Sequence, residues 1–300
     1  MAEIWGVAAA VASSALGGTS VGATRFLAGV IDPLAIGSFR FGLGVLLLLP
    51  IALVRRERWP TRGDMAGVIG LGLLFFFLFP LLFNASLIYT TAARGSLALS
   101  ALPFLTMLTG AVLGRESLTT LKTAGVIVAT AGVALALLSG QQTAPAGAWR
   151  GDMLMLAAAL CMALYSVWSK PFIRRSAPLT FTVMTMVTGA SCLVATSLWH
   201  DSFGPIAGFN APQWGATLYL GIVGGALTFF LWALALAHTT PTRVAVSVTV
   251  NPIAASLVGT ALLGEPLRWN VLLGVATILI GLRIVTMEAG RFEETRRKAD

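Results

Sequence analysis

Charge is scarce in this chain. Of its 300 residues only 11% are Asp, Glu, Lys or Arg, and 12 of those are acidic. A soluble domain carries about 25% charged residues. So few charges cannot cover a water-facing surface, which excludes an ordinary soluble enzyme or binding domain. Histidine occurs twice, as His200 and His238, and cysteine twice, as Cys161 and Cys192. Both cysteines lie in apolar stretches with no CxxC or Cys/His cluster, so neither a disulfide framework nor a metal centre is implied, and no cofactor is expected. HExxH is absent, and only His200 and His238 are available as histidines, which leaves an intramembrane enzyme as the unfavoured class. A channel is unfavoured too, because no ring of filter charges is visible. The net charge of +8 comes without a basic patch interleaved with aromatics, so nucleic acid is not an expected partner.

What the chain has in abundance is apolar sequence: 57% of residues are hydrophobic and the mean hydropathy is +0.86. Runs long enough to cross about 30 Å of hydrocarbon recur along it. They fall near 4–24, 34–54, 65–89, 94–113, 121–139, 151–170, 179–199, 213–236, 243–263 and 269–287. This predicts an all-α membrane protein of ten transmembrane helices with the lipid bilayer as its main solvent. The start lacks a basic segment and a cleavage site, so 4–24 reads as a first span rather than a removable signal. The connections are short and predict no separate soluble domain.

Lysine and arginine orient the chain. With both termini placed in the cytoplasm, the inner loops and tail hold Arg55, Arg56, Arg58, Arg62, Arg115, Lys122, Lys170, Arg174, Arg175, Arg243, Arg291, Arg296, Arg297 and Lys298. The outer side holds only Arg25, Arg40, Arg94, Arg150 and Arg268. That asymmetry follows the positive-inside rule and favours cytoplasmic termini in a plasma (bacterial inner) membrane.

The chain also repeats itself. Residues 71–132 slide onto 220–281 without a gap, with 17 of 62 positions identical. Apolar residues match often by chance, so the rarer types decide. Arg94 falls on Arg243, Pro103 on Pro252, Glu116 on Glu265, and Thr90-Thr91 on Thr239-Thr240. Earlier in each half the register is 145 residues, which matches Arg25 to Lys170 and Pro33 to Pro178. A longer connection from His200 to Pro212 accounts for the difference. Five spans per copy is an odd number, so the second copy enters the membrane the other way up. Inverted repeats of this kind support alternating access around a site near the midplane. The expected organisation is a first repeat over 1–140, a second over 141–288 and a cytoplasmic tail over 289–300. A monomer is the expected state, with a dimer as the alternative.

The residues that repeat also carry a resemblance. Ala-Ala-Arg-Gly-Ser-Leu-Ala-Leu-Ser-Ala-Leu-Pro from 92, Leu-Gly-Arg-Glu at 113–116, Asn-Pro at 251–252 and Leu-Gly-Glu-Pro-Leu at 263–267 resemble the EamA group of the drug/metabolite transporter superfamily. So do the stretches 16–25 and 32–41. Arg115, between Gly114 and Glu116, departs slightly from the pattern of the second copy. The resemblance implies ten helices, cytoplasmic termini and export of small metabolites. It is similar to that of YddG-type aromatic amino-acid exporters, with exporters of drugs and purine-like compounds as the alternative.

Polar groups inside a membrane are costly, so each is a candidate. Arg94 and Arg243 are expected at helix starts, where their guanidinium groups would snorkel to headgroups and bond loop carbonyls, or act in gating. Arg40 reads as a similar anchor. Glu116 and Glu265 lie between consecutive helices, where capping is the simple role. Pro103 and Pro252 would kink their spans and frame a cavity or act as hinges. Candidate substrate-binding residues are Ser20, Phe79, Phe83, Asn84, Ser100, Tyr165, Trp168, Trp232 and Asn251. Phe79 and Phe83 share a face, as do Tyr165 and Trp168. Phe83 aligns with Trp232. The run of Phe75, Phe76, Phe77 and Phe79 is expected to cover all faces of its helix. Aromatic walls, Ser and Asn groups and a positive potential suit a zwitterion or weak anion with an apolar side chain. No Asp or Glu falls near the middle of a predicted span, so facilitated export or exchange is simpler than strong proton coupling.

Overall fold

A computed structural model describes residues 2–115, 119–139 and 145–265, and positions 269, 272–273, 276–277 and 280 beyond them. Every regular element among the described residues is helical. The first half runs α1 (Ala2–Leu27), α2 (Pro33–Arg55), α3 (Met65–Leu73), a π-helical segment (Leu74–Leu78), α4 (Phe79–Tyr89), α5 (Ala92–Leu99), α6 (Leu102–Val112) and α7 (Thr120–Ser139). The second runs α8 (Ala148–Arg175), α9 (Pro178–Trp199), α10 (Ala211–Tyr219), a π-helical segment (Leu220–Leu227), α11 (Thr228–His238), α12 (Pro241–Ser247), a 3₁₀ turn (Val248–Val250) and α13 (Asn251–Leu263).

Joined end to end, these helices make eight segments long and apolar enough to cross a membrane among the described residues. They are Ile4–Leu27, Pro33–Arg55, Arg62–Tyr89, Ala92–Val112, Ala148–Arg175, Pro178–Trp199, Ala211–His238 and Pro241–Leu263. The expected span at 121–139 coincides with the twenty-residue helix α7. Most of the expected span at 269–287, Glu116 and the tail at 289–300 lie outside the described residues. Large apolar side chains such as Val54, Val112, Leu198, Leu257 and Leu262 stand well exposed along the outer surface. Such a surface suits lipid rather than water, so this is a multi-pass integral membrane protein.

The two halves break their helices at matching places. The π segment at Leu74–Leu78 corresponds, 149 residues on, to part of that at Leu220–Leu227. The break between α5 and α6 at Ser100-Ala101 corresponds to the 3₁₀ turn before α13. Thr91 caps α5 by accepting from the Arg94 N–H, and Thr240 caps α12 by accepting from the Arg243 N–H. Gly114 and Gly264 end the corresponding helices in the left-handed conformation (φ +63° and +64°), which glycine adopts without a Cβ penalty.

Packing partners are exchanged in the same way. α1 lies against α11 and α13, as α8 lies against α4 and α6. α2 packs on the second π segment, as α9 packs on the first. α2 and α9 pack on each other, and so do the α5–α6 and α12–α13 segments. This is the contact pattern of two similar units related by a two-fold operation.

The phenylalanine run does not cover all faces. Phe75, Phe76, Phe79 and Phe83 are all buried, and of this group only Phe77 is partly exposed. The π segment is the cause: its wider i→i+5 turn lets adjacent Phe75 and Phe76 both point inward with Phe79. They join Phe41, Tyr165, Phe181 and Phe229 in one aromatic core. There Phe75 stacks on Tyr165 with centroids 4.0 Å apart, and Phe76 meets Phe41 edge-on at 5.2 Å. Threonines on α9 keep their hydroxyls satisfied by bonding carbonyls one turn back, as Thr182, Thr185 and Thr196 do.

Candidate functional site

A small cavity of about 30 Å³ lies between the halves. That is room for one or two waters. Part of its wall is made of repeat-equivalent pairs. Phe79 faces it with Thr228, Phe83 with Trp232, and Leu99 with Val248, each pair 149 residues apart. Gly17 and Met162 form a fourth pair in the 145-residue register. The cavity therefore sits where the two units exchange.

The prolines explain the local backbone. Pro103 and Pro252 are not inside continuous helices; each stands at the start of a new one, after the break. Proline has no N–H, so Pro103 offers no bond to the Leu99 carbonyl, nor Pro252 to that of Val248. Leu99 and Val248 both line the cavity.

Arg40 is the most unusual cavity residue. The expectation of a membrane-surface anchor fails: the side chain is 3% exposed. Its Nε donates to the Gly224 carbonyl at 3.1 Å. The π segment makes that contact available by opening the helical ladder, where Thr228 also bonds the Val223 carbonyl at 2.8 Å. The guanidinium lies 5.4–5.7 Å from the ring centres of Phe229, Phe41 and Phe83. Its Nη1 has no hydrogen-bond partner. Two further buried cavity groups share that condition, the Trp232 indole N–H and the Asn251 amide oxygen. Ser13 donates to the Thr228 carbonyl at 2.7 Å, and Ser14 bonds Ser247 at 2.7 Å, tying α1 to the opposite half beside the cavity.

Of the residues singled out from sequence, Phe79, Phe83, Trp232 and Asn251 meet at this cavity. The others are placed elsewhere. Ser20 is buried and spends its hydroxyl on the Leu16 carbonyl at 2.8 Å. Ser100 bonds the Ser96 carbonyl at 3.0 Å at the helix break. Tyr165 is locked in the aromatic core against Phe75. Trp168 does not accompany it: it is 41% exposed, whereas Tyr165 is 1% exposed. Three residues advance a helix by about 300°, so the two side chains straddle the edge of the buried face. Asn84 donates to the Pro33 carbonyl at 2.9 Å and so holds the start of α2. Asn84→Ala is expected to lower stability by about 1 kcal/mol, the loss of one hydrogen bond to a half-buried carbonyl. Thermal unfolding will show this, while the apparent affinity for a transported solute stays unchanged.

Arg94, Glu265, Arg25 and Arg175 form ties within the bundle. Arg94 does not snorkel. Its side chain is buried and makes a two-point pair with Asp152, Nε to Oδ1 at 3.1 Å and Nη2 to Oδ2 at 2.6 Å. Gly151 permits this approach, because a Cβ there would lie 2.7 Å from the Ser86 carbonyl oxygen. Arg243 is exposed, unlike its repeat-mate. Glu265 folds back so that its carboxylate accepts from the Ala92 N–H at 3.1 Å. It thus caps α5 of the other half. It also lies 3.5 Å from the Arg25 Nε, while Arg25 donates to the Leu87 carbonyl at 2.8 Å. On another face, Arg175 pairs with Asp64 at 2.6 Å.

Two similar halves, breaks at matching places and a cavity at their junction point to a carrier architecture, and the family comparison agrees. The EamA-like transporter family model matches residues 4–138 and again 149–287. The chain belongs to the EamA-like transporter family. Among curated relatives, it is 24% identical over 271 residues to the uncharacterized transporter YyaM of Bacillus subtilis, covering 88% of each chain. An uncharacterized transporter of Archaeoglobus fulgidus is 26% identical, over 89% of this chain and 94% of the other. A probable terminal-alkyne amino-acid exporter of Streptantibioticus cattleyicolor is 26% identical, over 76% and 75%. A solved crystal structure superposes with a TM-score of 0.72 at 19% identity, over 95% of this chain and 98% of that one, which shows a shared fold.

Proposed function

We propose that this EamA-type transporter exports small amphipathic metabolites, amino acids or close relatives of them, across the bacterial inner membrane by alternating access. In this reading ten helices form two inverted five-helix repeats with both termini in the cytoplasm. The observation that carries it is the central cavity between the halves, walled in part by four repeat-equivalent pairs. In an inverted repeat, such a site can be reached from one side of the membrane or the other by the same rocking of the halves. The cavity's small volume fits a closed stage of that cycle, because an amino acid needs more room than one or two waters. The amino-acid exporter among the relatives supports the substrate class.

No Asp or Glu among the described residues lines the cavity. Transport is therefore proposed to run as facilitated export or exchange. The test is counterflow in proteoliposomes loaded with amino acids. Saturable counterflow is expected, unchanged by a protonophore. Trp232→Ala is expected to reduce it by about tenfold or more, through the loss of a buried aromatic wall. Flux that never saturates would indicate a channel, and accumulation that collapses with the protonophore would establish proton coupling.

A further inference from the structure

We infer that Arg40 selects the transported solute by its carboxylate: the cavity takes a solute with a single carboxylate group attached to an aromatic or branched apolar body. This rests on the carrier reading and names its substrate class. The first ground is an unbalanced charge. Arg40 is buried, yet no carboxylate among the described residues pairs with it. The acids that the fold buries or half-buries in ion pairs across the bundle are engaged elsewhere: Asp152 with Arg94, Asp64 with Arg175, and Glu265 with Arg25 and the start of α5. A buried cation without a counter-ion is costly, and removing water from it makes an arriving anion more favourable. One carbonyl and three ring faces offset that cost only in part.

The second ground is geometric. Arg40, Trp232 and Asn251 all line the cavity, and each retains an unsatisfied buried atom: Nη1, the indole N–H and the amide oxygen. Two of these are donors, and a carboxylate has the acceptors to meet them. Asn251 supplies an acceptor on its own wall, which suits an N–H or ammonium on the same solute. A single arginine matches a single negative charge, since a dianion would carry an unmatched charge into an apolar chamber. Phe79, Phe83 and Phe229 form the complementary wall for an apolar body.

The third ground is the break in symmetry. In the 145-residue register the counterpart of Arg40 is Thr185, whose hydroxyl is spent on the Phe181 carbonyl at 2.9 Å. The cavity thus has its guanidinium on the α2 side and no charge at the equivalent position. A bound solute is held in one orientation, with its anionic end toward α2.

Four probes that share a phenyl ring test the assignment: 3-phenylpropanoate, 3-phenylpropanamide, phenylalanine and phenethylamine. Each competes in counterflow by the reconstituted full chain and, separately, is assayed for thermal stabilisation of purified protein. The acid and phenylalanine are expected to bind at least about tenfold more tightly than the amide and the amine. Arg40→Lys is expected to keep the preference in weakened form. Arg40→Gln is expected to bring the acid-to-amide ratio to near one. Equal binding of amide and acid by the unmodified protein overturns the role of Arg40 and leaves the carrier reading standing. So does an Arg40→Gln protein that keeps the ratio. Failure of all four probes to bind or move overturns the substrate class itself. If Arg40→Gln does not fold, the four-probe comparison on the unmodified protein decides alone.

Discussion

Asp152→Ala is expected to destabilise the protein by about 3–5 kcal/mol, and Arg94→Ala by a similar amount. Both side chains are almost fully buried, at 6% and 7% exposure, and their two parallel contacts tie α5 of the first half to α8 of the second. Removing either member leaves the other charged and without its counter-ion inside the bundle. Removing both is different. Arg94→Met combined with Asp152→Leu replaces two desolvated charges by apolar side chains, and such exchanges are often neutral. Thermal unfolding of the purified variants separates the cases: two low melting temperatures for the single variants and recovery for the double. Single variants within about 1 kcal/mol of the unmodified protein would mean that water or lipid headgroups reach the pair. Counterflow by the double variant then reports on transport free of the folding defect. Activity in that variant shows that the pair holds the halves together without taking part in the cycle.

The residues that the sequence brought into view are those marked by the repeat. Phe83 and Trp232 align in the two copies, and both face the cavity. Pro103 and Pro252 align, and both begin helices beside it. Residues that break the repeat were harder to read. Arg40 looks like a headgroup anchor because it lies in the first two turns of α2, and only the third dimension shows α2 pressed against the second π segment. A second arginine at the equivalent position would have drawn attention to it; the sequence has Thr185 there instead. Asp152 escaped notice for a related reason. It lies at a span edge, where an acid is ordinary, and its partner is 58 residues away. The Ser20 and Ser100 hydroxyls and the Asn84 amide N–H bond nearby or facing backbone carbonyls, which hydropathy cannot distinguish from a ligand site. The π segments were invisible because an i→i+5 turn has no residue signature of its own.

Gly225→Ala is expected to cause the other large loss, in stability by about 1–3 kcal/mol and in counterflow to near background. A Cβ at this position would collide with the backbone carbonyl oxygen of Arg40 and sit 3.3 Å from the Leu220 carbonyl oxygen. Neither obstacle is the tip of a flexible side chain, so relief requires α2 to move away from the second π segment. That movement would also stretch the 3.1 Å bond from the Arg40 Nε to the Gly224 carbonyl and carry the guanidinium off the cavity wall. Stability and transport are therefore coupled at this glycine. Gly70→Ala is the contrasting variant. Gly70 is exposed on α3, and nothing lies within 4 Å of a Cβ placed there. It is expected to melt and transport like the unmodified protein, since it gains helix propensity without meeting a neighbour. Melting temperature and counterflow on the same preparations decide the comparison. A Gly225→Ala protein with unaltered melting and unaltered flux would show that α2 slides freely on the π segment, and that the seat of Arg40 is not set by this contact.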